Sequence, residues 1–359
     1  AGIFRVLGRI NTWMLSARKR CPDEAGAHAE EAPPEPLYPH LHDLHRRMEA
    51  VLAEKRAGAD SERLLEMFFA VHRFLRVGEQ YDAAYRVCYR RSGNELDVRL
   101  YCLDPARQLK EVLDGCRSAI FFSATLRPPD YYRYLLGLPD RTEMVVLPSP
   151  FPPSHLNVRL DGRISTRYRD RDRTCEALAR RILGAVRDGG NHLVFFPSHA
   201  YLAMVHECLH RLAPDFDVHT QMPAMSEAER VEFLDRFVAD SSTGQVGLVV
   251  MGGIFGEGID LVGRRLSGAV IVGVGLPGIC LERDLIRDYF RDRGEDGFAY
   301  AYVYPGITRV LQAAGRVIRT ASDRGQVVLI DSRYTSVRYR RLMPPHWQPE
   351  RWPEGEGGG

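Results

Sequence analysis

Apolar positions recur at helical spacing through the first 77 residues: Ile3, Leu7, Ile10 and Trp13–Met14, then Leu41 to Leu52, then Leu64 to Leu75. Three amphipathic helices are predicted there. Cys21 to Pro39, rich in Pro, Ala and Glu, reads as a loop, and Phe68, Phe69 and Phe74 suit a core better than a base-stacking surface. The pattern changes at Tyr81. Tyr85–Tyr89 and Leu96–Leu103 read as strands around Ser92-Gly-Asn-Glu95, a hairpin. A helix over Pro105–Asp114 and a buried strand over Ser118–Ser123 follow, and Pro148–Pro153, with four prolines in six residues, reads as a linker.

Past the linker, helix and strand alternate. Arg173–Arg187 is helical, with Leu178, Ile182, Leu183 and Val186 on one side. His192–Phe196 is a strand and Tyr201–Leu212 a helix. Ser226 with Glu229 forms a capping box that opens a helix over Glu227–Phe237. Val246–Met251, Gly268–Val274 and Gly325–Ile330 are further strands. The last is preceded by a helix over Thr308–Arg319. Strands separated by helices imply parallel βαβ units, hence an α/β, doubly wound parallel sheet. Such sheets bind ligands at the carboxyl ends of their strands.

Composition narrows the function less than the pattern does. The net charge is +2, so any nucleic-acid binding must be local. All but three of the 49 basic residues (Lys19, Lys55 and Lys110) are arginine, a bias that reads first as genomic base composition and second as a nucleic-acid role. Seven scattered cysteines without a CxxC pair read as reduced thiols of a cytoplasmic protein, with no metal site in this chain. No apolar run reaches the length of a membrane span. The chain begins Ala-Gly-Ile-Phe without Met, as expected of a piece of a longer protein, and Glu354–Gly359 reads as a loose tail.

Four stretches could carry chemistry. On a helix, Gln312, Arg316 and Arg319 fall at i, i+4 and i+7 and share one face, beside Ala313, Ala314 and Gly315. Planar, permanently charged guanidiniums suit a nucleotide γ-phosphate; a solvated basic face reads equally well from spacing alone. Strand Val246–Met251 ends in Gly252-Gly-Ile-Phe-Gly256-Glu257-Gly258-Ile-Asp260, where glycines admit a phosphate or sugar and two carboxylates could take hydroxyls, Mg²⁺-bound water or an arginine. By itself that loop reads more simply as a glycine turn with acidic caps. Ser123 and Thr125 follow a strand, as a link to a nucleotide site or as a local cap. Ser198 could meet a backbone phosphate and Tyr201 a base, or they are a helix N-cap and a core tyrosine. Gly273-Val-Gly275-Leu-Pro-Gly278 matches GxGxxG, but Pro277 and the lack of a following acid argue against a nicotinamide cofactor. GxxxxGK[ST] occurs nowhere, and no Asp-Glu pair ends an apolar strand. The chain thus offers half of a nucleotide site.

Together these stretches resemble the C-terminal half of the XPD/DinG-like (Rad3-related) superfamily 2 DNA helicases, the bacterial DinG-like branch above all. The resemblance spans roughly residues 70–335. It rests on Cys102-Leu-Asp-Pro105, Ser123-Ala-Thr-Leu126 with Tyr131-Tyr132 and Leu136-Gly137, Ser149-Pro-Phe151, Leu193-Val-Phe-Phe-Pro-Ser198, Gly252–Asp260, Gly273-Val-Gly-Leu-Pro277, Gln312-Ala-Ala-Gly-Arg316-Val-Ile-Arg319, and Asp323-Arg-Gly325 with Leu329–Tyr334.

The resemblance implies two RecA-like domains with ATP and Mg²⁺ between them. The first carries the P-loop, the Walker B acids and usually a 4Fe-4S cluster, which would lie outside this chain. Residues 1–77 would be the end of a helical arch domain, 79–150 the returning strands of motor domain 1, 155–340 the RecA-like motor domain 2, and 341–359 a tail. Arg316 and Arg319 would be arginine fingers and Gln312 a γ-phosphate sensor. Gly256, Glu257, Gly258 and Asp260 would form the nucleotide-side loop that couples ATP to DNA. Ser123 and Thr125 would be the third helicase motif, and Ser198 with its neighbour Tyr201 would touch single-stranded DNA. The expected whole is an ATP-dependent DNA helicase moving 5′ to 3′ in repair or recombination. Its place would be the bacterial cytoplasm at the nucleoid, with no membrane partner, and its partners single-stranded DNA and its own motor domain 1. This chain alone is expected to be inactive. The alternative is a non-catalytic RecA-like module that holds nucleic acid or a protein.

Overall fold

In the computed structural model the described residues are 2–22, 26–54, 61–239, 244–256 and 261–353. They divide into two compact units. One comprises Ala1–Ile120, Arg133–Thr142 and Ile279–Ala301; the other comprises Phe121–Tyr132, Glu143–Gly278 and Tyr302–Gly359.

Helices α1 (Gly2–Arg18), α2 (Tyr38–Ala53) and α3 (Ser61–Gly78) form where the 3.6-residue pattern placed them. Their periodic positions make one core: Val6, Leu41, Leu44, Met48, Val71 and Leu75. The Cys21–Pro39 stretch is not wholly a loop. Ala27–Glu30 is a strand (β1), antiparallel to the next strand with Ala29 opposite Cys88. Its Ala-His-Ala-Glu sequence alternates over four residues with no side chain larger than alanine on the apolar side and no β-branched residue, so only the pairing reveals it. Strands β2 (Tyr85–Ser92) and β3 (Glu95–Cys102) form the expected hairpin. Gly93, at φ 57°, takes the first central position of the two-residue turn, where a side chain would be strained. Helix α4 (Ala106–Asp114) follows.

The strand expected at Ser118–Ser123 does not form. The segment has no regular structure, and Ile120 and Phe122 are 86% and 90% exposed. Apolar character marks a segment that gains by burial, but a lone strand without a ladder partner is not stable. After α5 (Pro129–Leu135), Val145, Val146 and Leu147 are exposed in the same way.

The second unit is built on a seven-stranded sheet. Its strands are β4 (Leu156–Asp161), β5 (His192–Phe196), β6 (His219–Thr220), β7 (Val246–Val250), β8 (Gly268–Val272), β9 (Gly325–Ile330) and β10 (Glu350–Arg351), in the order β10-β4-β9-β8-β5-β7-β6. Every pairing is parallel. Central strands are covered on both faces, which is why they read as continuous apolar runs. Val270 sits between Val194 and Val328, all fully buried. Helices α6 (Arg171–Val186) and α7 (His199–Leu212) pack one face through Leu178, Ile182, Leu202 and Val205. Complete burial of each such side chain is worth about 1.5–3 kcal/mol. Helix α8 (Glu227–Asp235) opens with the expected capping box: the Glu229 amide donates to Ser226 Oγ at 3.3 Å, and the Ser226 amide donates to Glu229 Oε2 at 2.7 Å.

Two elements depart from the pattern reading. Helix α9 (Leu281–Arg291) clusters with the first unit, where Asp104 accepts from Tyr289 at 3.3 Å and from Tyr134 at 2.8 Å. Burial, reinforced by the Asp104 charge, pushes the Tyr289 hydroxyl up to about 12. Helix α10 spans Tyr304–Ala314, not Thr308–Arg319. Gly315 caps it, and the chain then turns because Asp323 Oδ2 accepts from the amides of Arg319 and Thr320, each at 2.8 Å. Arg316 and Arg319 therefore lie beyond the helix, and the shared helical face extends only to Gln312.

The C-terminal stretch beyond α11 (Val337–Arg340) is folded as far as residue 353. Leu342 and Met343 are buried, β10 pairs with β4, and Trp352 is 3% exposed with Arg159 and Arg181 over its ring. Residues 354–359, read as a loose tail, lie outside the described residues. Nor are all cysteines free thiols: Cys175 and Cys208 are disulfide-bonded because α6 and α7 pack side by side, bringing their Cα atoms to 6.6 Å.

Candidate nucleotide and nucleic-acid site

A parallel sheet sends the loops after all its strands to one edge. In the second unit that edge gathers the segments after β4, β5, β7, β8 and β9.

The β7 segment is the glycine turn. Met251 donates its amide to Phe196 carbonyl at 2.8 Å, which ties β7 to β5, and Gly256 closes back on Gly253 at 2.9 Å. Gly252 holds φ 69°, and a Cβ there would come within 2.9 Å of Arg309 Nε. The space a side chain would fill is taken by an arginine from α10. The turn and the arginine-bearing helix are thus in contact, which the sequence left open. Gln312 lies one turn further on and is half-buried; Arg316 is half-buried and Arg319 exposed. Gly256 is buried, whereas Glu257, Gly258 and Asp260 lie outside the described residues.

The GxGxxG stretch after β8 has a different use. Gly275 (φ 68°) lies against the carbonyl of Gly306, and a Cβ on Gly306 would meet Val274 carbonyl at 2.8 Å. Its glycines let two backbones touch at the start of α10, fixing where that helix begins.

Ser198 caps α7, accepting from the Tyr201 amide at 3.3 Å. Tyr201 is 1% exposed, with Phe196 edge-on and the Arg171 guanidinium 4.2 Å from its ring centroid. No ring face is left for a base, so the stacking role expected of Tyr201 is corrected to a core role. Burial pushes its hydroxyl up to about 12. Ser123 and Thr125 stand on exposed chain, Oγ to Oγ1 at 3.2 Å, with Ser123 Oγ also accepting the Thr125 amide at 3.2 Å. That is a local turn, and the site does not gather them.

Sequence reasoning missed a buried ionic network at the same edge. Asp331, fully buried after β9, accepts from Arg333 Nε at 2.8 Å and Nη2 at 2.9 Å, and from the hydroxyl of Thr166. Arg171 Nε donates to Thr166 carbonyl at 3.4 Å. The polar residue ending an apolar strand, Leu329-Ile-Asp331, was the available signal; its partner 165 positions earlier was not visible. Asp323, which shapes the Arg319 turn, is 4% exposed. Burial opposes its charge, but hydrogen bonds from Thr320 and from backbone amides outweigh it and hold the carboxyl below its usual range. Among the described residues no group of three His, Cys, Asp or Glu could hold a metal ion.

Known proteins resemble this chain in sequence and in fold. A family model described as helicase C-terminal domain matches residues 181–350. A probable ATP-dependent helicase of Methanocaldococcus jannaschii is 30% identical over 288 residues, which is 76% of this chain and 42% of that protein. The ATP-dependent DNA helicase DinG of Photobacterium profundum is 27% identical over 232 residues, 63% of this chain and 33% of that protein. A solved structure of apo XPD superposes with a TM-score of 0.60 at 19% identity, covering 96% of this chain and 69% of that one. The chain belongs to the XPD/DinG-like, Rad3-related helicase family. The XPD likeness adds the fold: an α/β, RecA-like sheet flanked by helices.

The matched helicase domain opens inside α6 and ends on β10, so it contains the glycine turn, α10 and the Asp331–Arg333 pair. Thr166 and Arg171 precede it. The chain spans less than half the length of the two curated relatives named here. No helix among the described residues is long and apolar enough to cross a membrane.

Proposed function

We propose that this chain supplies the second motor domain, and the returning part of the first, of an ATP-dependent DNA helicase that moves 5′ to 3′ on single-stranded DNA in repair or recombination. The observation that carries the reading is the junction of the glycine turn with α10, where Arg309 covers Gly252 and the chain runs on to Gln312 and Arg316. ATP fits this donor set, because guanidiniums match a triphosphate's oxyanions. Bound ATP supplies a γ-phosphoryl group whose transfer to water drives movement. Arg316 and Arg319 offset charge developing on it, and Gln312 senses its presence. Gly256 to Asp260 link the nucleotide to DNA, and Ser123 and Thr125, as the third helicase motif, couple the nucleotide to nucleic acid. Mg²⁺, when present with ATP, would offset charge on the transferring phosphoryl group.

With no GxxxxGK[ST], the phosphate cradle must lie on another part of the working protein, as would any 4Fe-4S cluster. The bare Ile120–Phe122 and 145–147 runs fit strands that await neighbours from that part. This chain alone is therefore inactive. The missing cradle also favours a second reading, a module that binds nucleic acid or a protein without turnover. ATP hydrolysis by the intact gene product, with and without single-stranded DNA and beside this chain, separates the two. DNA-stimulated hydrolysis in the first and none in the second is expected, and hydrolysis in neither favours the module. Arg316→Ala is expected to lower kcat by about 10³ or more; an unchanged kcat removes its assignment.

A further inference from the structure

One exposed feature of the carboxyl edge has no role in this scheme. The stretch that runs from the end of β4 into the first turn of α6 reads Arg163-Ile-Ser-Thr-Arg-Tyr-Arg-Asp-Arg-Asp-Arg173, with five arginines and two aspartates in a chain of net charge only +2. At its tip Tyr168 is 85% exposed. Arg167 and Arg169 on either side are exposed, and after the Ser165 hydrogen bond their charges help hold the Asp170 carboxyl below its usual range.

The loop beneath that tip is held tightly. Ser165 Oγ donates to Asp170 Oδ2 at 2.6 Å, and Thr174 Oγ1 lies 2.8 Å from Ser165 carbonyl and 2.9 Å from Asp170 carbonyl. Thr166 is bound to buried Asp331 through both amide and hydroxyl. Arg171 lies between two rings, 4.2 Å from the Tyr201 centroid and 5.4 Å from that of Tyr168. A cation against one side of an aromatic ring steadies it at little entropic cost, and a pre-ordered loop loses little freedom on binding.

We propose that this loop is a single-strand binding site, with Tyr168 stacking on an unpaired base and Arg167 and Arg169 holding the adjoining phosphates. Duplex phosphates could use the arginines but would leave the ring in water. An unstacked base with its adjoining phosphates uses both. The assignment rests on the helicase reading and gives it the exposed aromatic that buried Tyr201 cannot supply.

The test measures oligothymidylate affinity of the intact gene product across a salt series. Tyr168→Ala is expected to weaken binding about tenfold, Tyr168→Phe to bind like wild type, and neither to move the thermal midpoint. Arg167→Ala and Arg169→Ala should each reduce the slope of log affinity against log salt by about 0.7. Wild-type binding with Tyr168→Ala unaffected overturns the loop assignment and leaves the helicase reading standing. So does a loss confined to duplex. A wild type that binds no oligothymidylate overturns both.

Discussion

Two apolar runs of this chain carry the same signal and meet opposite fates. Ala269-Val-Ile-Val272 in β8 is fully buried, with β5 on one side and β9 on the other. Ile120-Phe-Phe122 is at least as apolar, yet Ile120 and Phe122 are almost wholly exposed. Hydrophobic pattern reports how much a segment gains by burial. Whether it becomes a strand depends on neighbours that supply hydrogen bonds and cover both faces. The β8 run has those neighbours within the same unit, and the 120–122 run lacks them.

The largest expected effect breaks this contrast directly. Val270→Asp puts an unpaired carboxylate at the centre of the sheet and should cost more than about 4 kcal/mol, enough to unfold the second unit in urea titrations. Phe122→Asp should change the stability of this chain by less than about 0.5 kcal/mol. In the intact gene product, where the proposed neighbours exist, the same change should cost about 3 kcal/mol or more. Equal, small costs in both settings would mean that nothing ever covers the 120–122 run.

Next in size are the contacts that finish the completed sheet at its carboxyl edge. Asp331→Ala leaves the Arg333 guanidinium partly buried without its carboxylate and should cost about 3 kcal/mol in the same titration. Gly275→Ala meets both a left-handed backbone (φ 68°) and the Gly306 carbonyl, and should cost about 1–3 kcal/mol. Gly189, at φ 78° with open space where a Cβ would sit, should suffer only the backbone part when changed to Ala. A Gly275→Ala cost no larger than that of Gly189→Ala would mean that the close approach of the two backbones carries no weight.

These cases mark what could be read from sequence. The three N-terminal helices, the hairpin, the capping box and the central strands were legible because their causes are local: a repeat, a turn residue, a cap three positions away. The end of α10 was misread because Arg316-Val-Ile-Arg319 prolongs the helical pattern, whereas Asp323 withdraws the Arg319 and Thr320 amides from it. Of the site, the glycine turn and the arginines were visible as pieces. Their junction at Gly252 and Arg309 was not, nor was the pairing of Thr166 with Asp331, because both need segments far apart in sequence. Ser198 and Tyr201 met the more modest of the two fates open to them, because a hydroxyl at a helix start satisfies an amide and a tyrosine in the first turn faces the sheet.

The smallest effect concerns the amino end of the same sheet. His192 opens β5 at 2% exposure, with Nδ1 3.0 Å from Gly190 carbonyl and Nε2 3.0 Å from Gln326 Nε2. A neutral ring satisfies both contacts, since Nδ1–H donates to the carbonyl and Nε2 accepts from the amide. Burial pushes the imidazole below its usual range, only partly opposed by the Gly190 carbonyl and the Asp188 charge. The unfolded chain, with an ordinary histidine near 6.5, then binds this proton more readily than the folded one. The stability it contributes is complete above about pH 6.5 and falls as pH drops through that value toward the lower folded pKa. Urea midpoints of this chain at about pH 7.5 and about pH 5.5 should differ more for wild type than for His192→Gln, whose amide cannot take the proton. Phe122→Asp, on the exposed 120–122 run, should keep the wild-type difference. If His192→Gln kept it too, the acid sensitivity would belong to another group, and the completed sheet would owe nothing to a neutral histidine at its edge.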